Sequence, residues 1–242
     1  MTFNLHHGVG IDGRLDLDRV VALVEATGAD VVALQEVDSR LGPRSAFVDQ
    51  PLWLARRLLL DVAYGATLDL APTEPGGARR RYGTALLSRR PLRDPASRPL
   101  PTAPGAEPRG YVTATIDVGG TAVRLVATHL QHDSAAARHR QAEALASVVS
   151  AAPEPVVLLG DLNAEPGSPE LAPLAAHLAD AWVAAGEGPG ATFPSDAPHL
   201  RIDGVLVSPG VTVTAAAVVP TGASDHRPVV ADLLVPAFIG EL

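Results

Sequence analysis

Apolar residues along this chain fall into short unbroken runs, separated by stretches in which they recur at helical spacing. Residues 2–5 read as a strand. Leu17, Val20, Val21 and Val24 share one helical face, and Gly28 supplies a stop. Residues 30–37, "DVVALQEV", form a buried strand that ends on polar residues, and residues 52–60 suggest a second helix. Strands follow at 84–90, 109–118 and 121–130, with Gly119-Gly120 marking a two-residue hairpin between the last two. Residues 135–150 carry Ala142, Leu145 and Val149 on one helical face. Next come the strand "VVLLGD" from Val156, a short helix from Glu170, and strands at 201–208, 211–219 and 227–235. Hairpins mixed with helical crossovers predict mixed sheets with helices outside. Proline- and glycine-rich stretches at 72–77, 95–108 and 186–198 are expected to be surface loops. No internal repeat or long linker divides the chain, so a single domain over residues 1–242 is expected.

Composition narrows the chemistry. Apolar residues make up 47% of the 242 and charged residues 19%, enough for a sizeable buried core. Cysteine is absent, which removes disulfides, thiol nucleophiles and cysteine zinc sites. Lysine is absent as well, since all 19 basic residues are arginine. Schiff-base chemistry and the lysine-containing phosphate loop are thereby excluded. No G-x-S-x-G elbow or H-E-x-x-H zinc signature occurs. Carboxylates, histidines, amides and arginines remain, an inventory suited to a hard divalent ion and to phosphate. The first residues carry neither a basic region nor a long apolar one, and no window approaches a membrane span, so a cytoplasmic protein is expected.

The polar residues cluster where strands end. Asn4 closes the first strand, with His6 and His7 beyond it, and Gln35-Glu36 ends the second. Thr128-His129 and Asp161-x-Asn163 end two more; Arg201 and Asp203 open a strand, and Ser224-Asp225-His226 precedes the last. Side chains two apart in an extended segment point the same way, so Asp161 can converge with Asn163, and Arg201 with Asp203. Strand-end loops are where sites are commonly built.

Seven segments in this order, "FNLHHG", "DVVALQEVDSR", "YGTALLSR", "ATHLQH", "VVLLGDLNAEPGSPEL", "RIDGVLVS" and "SDHRPVVADL", resemble the motif set of the endonuclease/exonuclease/phosphatase superfamily. The likeness runs from about residue 3 to 235. It implies a four-layer αββα sandwich of two mixed sheets with the site at one end. It also implies a Mg²⁺- or Mn²⁺-dependent hydrolase whose substrate is a phosphate ester, a small molecule or a short nucleic acid. By the same resemblance Glu36 is the principal metal ligand, aided by Asn4 and Asp225. Asp161 is similar to the acid that activates the attacking water, and Asn163 to the amide that holds the phosphoryl group. His226 resembles the phosphate-contacting histidine, with Asp203 fixing its tautomer. His129 resembles the histidine that touches phosphate or serves the leaving group, and His6, Arg81 and Tyr82 are expected to face the substrate. His7, His132 and His139 are expected at the surface.

Departures from that pattern and the charge balance shape the expected substrate. His6 stands where abasic-site endonucleases of the family carry an acid, and Thr84 where many members carry asparagine. Aromatics are only 4%, which leaves little for stacking on bases, and the net charge of −8 disfavours general nucleic-acid binding. The charge is uneven: residues 77–109 hold eight arginines against Asp94 and Glu107. The expected activity is therefore hydrolysis of a phosphodiester by metal-assisted in-line attack of water. The alternatives are a DNA or RNA nuclease, a sphingomyelinase-like phosphodiesterase acting on phospholipid headgroups, and a lapsed binding module. No amphipathic segment supports docking of a membrane.

Overall fold

The computed structural model describes residues 1–236; residues 237–242 of the expected domain lie outside the described residues. The chain runs β1 (Thr2–Asn4), α1 (Leu17–Thr27), β2 (Val31–Ser39), α2 (Gln50–Leu58), β3 (Asp61–Leu70), β4 (Arg80–Ser88) and β5 (Arg93–Pro99). The hairpin β6 (Gly110–Val118) and β7 (Thr121–His129) follows, then α3 (Ala135–Ser150), β8 (Val156–Asp161), α4 (Ala172–Ala175), β9 (Ala179–Asp180) and α5 (Ala181–Ala185). The strands β10 (Asp203–Val207), β11 (Thr212–Val218) and β12 (Val229–Leu234) close the described chain.

Among the described residues the strands form two six-stranded mixed sheets, ordered β11-β12-β1-β2-β4-β3 and β5-β6-β7-β8-β10-β9. Their inner faces are packed with small and branched residues, Ala33, Ala114, Ala127, Val157 and Val205 among them. On the outside of the first sheet, α1 and α2 bury Val20, Val21, Val24 and Leu54 against Phe3, Leu5 and Leu34. Each such side chain contributes about 1.5–3 kcal/mol by leaving water. On the outside of the second sheet, α3 sets Ala142, Leu145 and Val149 against Val126 and Leu158. The expected four-layer αββα sandwich is what the chain forms.

Local chemistry sets the element ends. The Asp16 carboxylate accepts the Arg19 N–H at the start of α1, and Gly28 ends that helix at φ 64°. Gly119 and Gly120 both take positive φ in the β6–β7 turn, a conformation that glycine adopts without strain.

Two expectations need correction, and one strand was not expected. The 95–108 stretch is not loop throughout, because β5 reaches Pro99. β5 is an edge strand, and an edge tolerates Pro95 and Pro99 because one side of its ladder is unpaired. β3, unforeseen, forms an edge of the other sheet. His7 is not at the surface: it is 9% exposed, in a turn whose main-chain oxygen accepts a hydrogen bond from Gln50.

Candidate active site

Strand register assembles the polar row. β7 and β8 run parallel with His129 beside Asp161, and β10 runs antiparallel to β8 with Asp203 beside Asp161. Residues paired across neighbouring strands point to the same face. One row across the second sheet therefore presents an imidazole and two carboxylates toward the first sheet. A side chain at Gly160 would collide with the Thr128 carbonyl, so glycine lets β8 run close to β7 just before Asp161.

The first sheet answers with Asn4 and Glu36. β1 and β2 are parallel, with Asn4 beside Gln35. Pairing of β2 with β4 is interrupted between Leu34 and Val37, and Glu36 sits in that irregularity at φ 58°. This bulge turns Glu36 out of the regular alternation. Gln35 stays buried, paired with the Thr2 hydroxyl. His6, His7 and Asn163 also hold positive φ (45°, 43° and 50°), so four non-glycine residues at this end occupy a sparsely populated conformation.

Asp161 is the hub. Its Oδ2 accepts from Asn4 Nδ2 at 3.0 Å and lies 3.4 Å from His129 Nε2 and 3.7 Å from His226 Nε2. Its Oδ1 accepts the Asn163 N–H at 3.0 Å. Burial, then the nearby Asp203 carboxylate, pushes the Asp161 pKa up to about 7. Asp203 Oδ2 stands 2.9 Å from His226 Nδ1. Burial alone would lower the His226 pKa, but the Asp203 charge, helped by Asp161 and Asp225, raises it to about 10. Phe193 packs its ring 4.8 Å from that imidazole. His129 is held well below the ordinary histidine value by burial and by Arg109.

The remaining expected residues sort by distance. Asn4 Nδ2 also donates to Glu36 Oε1 at 3.0 Å, while Asn4 Oδ1 accepts the His6 N–H. Asp225 Oδ1 lies 3.8 Å from His6 Nδ1 and accepts from the Ser224 hydroxyl, whose proton is shared with the Asn4 carbonyl. Asn163 Nδ2 donates to the Leu130 carbonyl. Tyr82 is buried, with Arg44 stacked 5.4 Å above its ring. Arg81 is exposed and paired with Asp69. Arg201 does not converge with Asp203; it binds Asp180 at 2.8 Å. Arg109 is an addition that no motif pointed to: it is 4% exposed, and its Nη1 stands 3.1 Å from His129 Nδ1.

The donor set fits a hard cation. Glu36 offers a carboxylate, held at one oxygen by the Asn4 Nδ2, and the partly exposed Asp225 adds a carboxylate beside His6. Imidazole nitrogens of His6 and His7 lie within 4.8 Å of a Glu36 oxygen and of each other. A separate cavity of about 280 Å³ between the sheets is lined largely by Val118, Val123, Val205 and their neighbours at the other end of the same strands. It is remote from this chemistry.

The model of the Endonuclease/Exonuclease/phosphatase family matches residues 1–226. Among solved structures, an endonuclease/exonuclease/phosphatase from Beutenbergia cavernae is 31% identical, with TM-score 0.80 over 97% of this chain and 70% of its own. A Bacteroides thetaiotaomicron mannosyl-6-phosphatase shares the fold at 17% identity, with TM-score 0.75 over 96% of this chain and 98% of its own. The human Nocturnin catalytic domain, solved with a sulfate anion, shares it at 22% identity, with TM-score 0.69 over 96% of this chain and 92% of its own.

Proposed function

From the premise that the chain belongs to the endonuclease/exonuclease/phosphatase family, we propose that it is a divalent-metal-dependent hydrolase of phosphodiesters. The observation that carries the reading is the setting of Asp161, a buried carboxylate flanked by Asn4, His129 and His226, with Glu36 one amide away. A phosphodiester is anionic and repels hydroxide, so its hydrolysis needs a positioned water, a base and concentrated positive charge.

Glu36 and Asp225 through their carboxylates, with Asn4 through its Oδ1, would hold Mg²⁺ or Mn²⁺. When bound, such an ion supplies charge neutralisation at the phosphate and a more acidic water. The chain's own groups divide the rest. Asp161, with its pKa near 7, is matched to take a proton from water around neutral pH. His226, kept cationic by Asp203, donates from Nε2 to a phosphoryl or leaving oxygen. Asn163 is fixed by its main-chain N–H to Asp161 and by its side-chain amide to the Leu130 carbonyl.

Of the arginine-rich segment, Arg109 reaches the catalytic residues, while Arg79 and Arg81 bind Asp69 and Arg80 binds the Ala71 carbonyl. No helix among the described residues is long and apolar enough to cross a membrane. The internal pairing of Arg79, Arg80 and Arg81 leaves less free basic surface for a long duplex and favours a small phosphodiester or a nucleic-acid end.

The test is turnover with Mg²⁺ or Mn²⁺ of dinucleotides, DNA, RNA, choline and inositol phospholipids, and a sugar phosphate monoester side by side. Hydrolysis of small diesters ahead of the polymers and lipids is expected. Turnover of the monoester alone would overturn the diester assignment, and turnover of none would mark a binding module.

A further inference from the structure

Arg109 lies just before β6, is 4% exposed, and belongs to none of the seven sequence motifs. Its Nη1 donates to Glu107 Oε1 at 2.9 Å and stands 3.1 Å from His129 Nδ1, and its Nη2 stands 3.4 Å from His132 Nδ1. A guanidinium carries only N–H groups and keeps its charge throughout the accessible pH range. The Nδ1 of His129 must therefore present a lone pair to it. The single ring proton then sits on Nε2, which faces Asp161 Oδ2 at 3.4 Å.

The opposite flank of Asp161 is wired the other way. His226 Nδ1 faces the Asp203 carboxylate, so there Nδ1 carries a proton. Both imidazoles aim Nε2 at the same Asp161 oxygen. One is backed by a cation and the other by an anion.

The geometry points to Arg109 as a positioning residue that locks His129 in the neutral Nε2–H tautomer. His129 then serves as a fixed hydrogen-bond donor, to Asp161 or to a phosphoryl oxygen, and transfers no proton. Protonation of His129 at Nδ1 would set N–H against N–H at 3.1 Å beside a permanent charge. Proton delivery to the leaving group therefore falls to His226. This division of labour rests on the phosphoesterase reading; the tautomer does not.

The tautomer is read by long-range ¹H–¹⁵N correlation on metal-free protein labelled at histidine nitrogens, with the His129 signals identified by their loss in His129→Gln. The expected pattern is an Nε2-protonated neutral ring that persists between about pH 6 and 9, a range over which an ordinary histidine loses its charge. An imidazolium or an Nδ1–H ring in the unmutated protein overturns the proposal. Arg109→Lys, which keeps a pure donor, should preserve the pattern, while Arg109→Met should release it to a tautomer mixture; an unchanged spectrum in Arg109→Met overturns it too. If Arg109→Met does not fold, the spectrum of the unmutated protein still decides.

Turnover adds a second readout, because the Gln amide replaces the Nε2–H donor but cannot move a proton. His129→Gln should lose about tenfold or less, the scale of one imperfectly replaced hydrogen bond, with both limbs of its pH–rate profile in place. A loss of about 10²–10⁴ together with a vanished alkaline limb would make His129 a proton-transfer acid and overturn the proposal. Absence of diester hydrolysis in the unmutated protein would instead strike the functional reading and leave the spectrum standing.

Discussion

Asp161→Asn pits the proposed chemistry against the electrostatics of the metal-free protein. The Asp161 carboxyl is 1% exposed and titrates near pH 7, against an ordinary value of 3.8. Between these values the folded protein holds a proton that the unfolded chain has released, so stability falls as pH rises. The slope is up to about 1.4 kcal/mol per pH unit, and the accumulated penalty is about 4 kcal/mol. That penalty is absent below pH 3.8 and fully present above pH 7. An asparagine cannot ionise and escapes it. Its amide must, however, oppose one donor with another, because Asn163 N–H bonds one carboxylate oxygen and Asn4 Nδ2 the other, each at 3.0 Å. One such mismatch costs about 1–3 kcal/mol. The variant should therefore be less stable than the parent near pH 4 and more stable by about 1–3 kcal/mol near pH 8. For a chain of this size each kcal/mol moves the melting midpoint by about 2–4 °C. The assay is thermal melting of both proteins in chelator across that range, paired with turnover at saturating Mg²⁺. Crossing stability curves and a rate loss of about 10²–10⁴ are expected. Parallel curves would refute the electrostatics, and normal turnover would refute the role as base.

Asp203→Asn removes the charge behind His226, so burial should dominate and the imidazole pKa should fall from about 10. Because the protonated ring is the competent form, the alkaline limb of the pH–rate profile should move down from near 10, and the rate at pH 8 should drop further than at pH 6; an unmoved limb would show that another group governs it. Gly83→Ala would drive a methyl group into the Gly65 carbonyl of the adjoining strand, where every obstructing atom is backbone and none is a side chain that could swing away. A loss of roughly 2–4 kcal/mol in denaturant melts is expected, and a variant as stable as the parent would show that the β3–β4 pairing can shift.

Legibility in the sequence followed burial. β2, β7, β8 and α3 were readable because their runs of Val, Leu and Ala are buried and keep strand or helix spacing. β3 and β5 escaped because both are edge strands with little buried patterning; β5 is exposed at six of its seven positions, and β3 is interrupted by Gly65. The pairing of Asp203 with His226 was expected from motif resemblance, and their contact follows from a register that places Asp203 beside Asp161. The burial of His7 was hidden because it depends on Gln50, 43 positions away. Arg109 was invisible for a related reason: amid the eight arginines of residues 77–109, nothing in sequence separates the one that turns inward. The bulge that aims Glu36 left no glycine or proline to announce it, since Glu36 itself takes the positive φ.

If Glu36 and its neighbours hold the ion on which phosphodiester hydrolysis depends, loss of that carboxylate must weaken the ion's hold. Mg²⁺ or Mn²⁺ is titrated into chelated protein while hydrolysis of a small diester is followed, for the parent and for Glu36→Gln. No turnover in chelator and saturable recovery on adding either ion are expected, with an ion requirement raised about tenfold or more in Glu36→Gln. Undiminished turnover in excess chelator, or identical titrations for the two proteins, would contradict this reading.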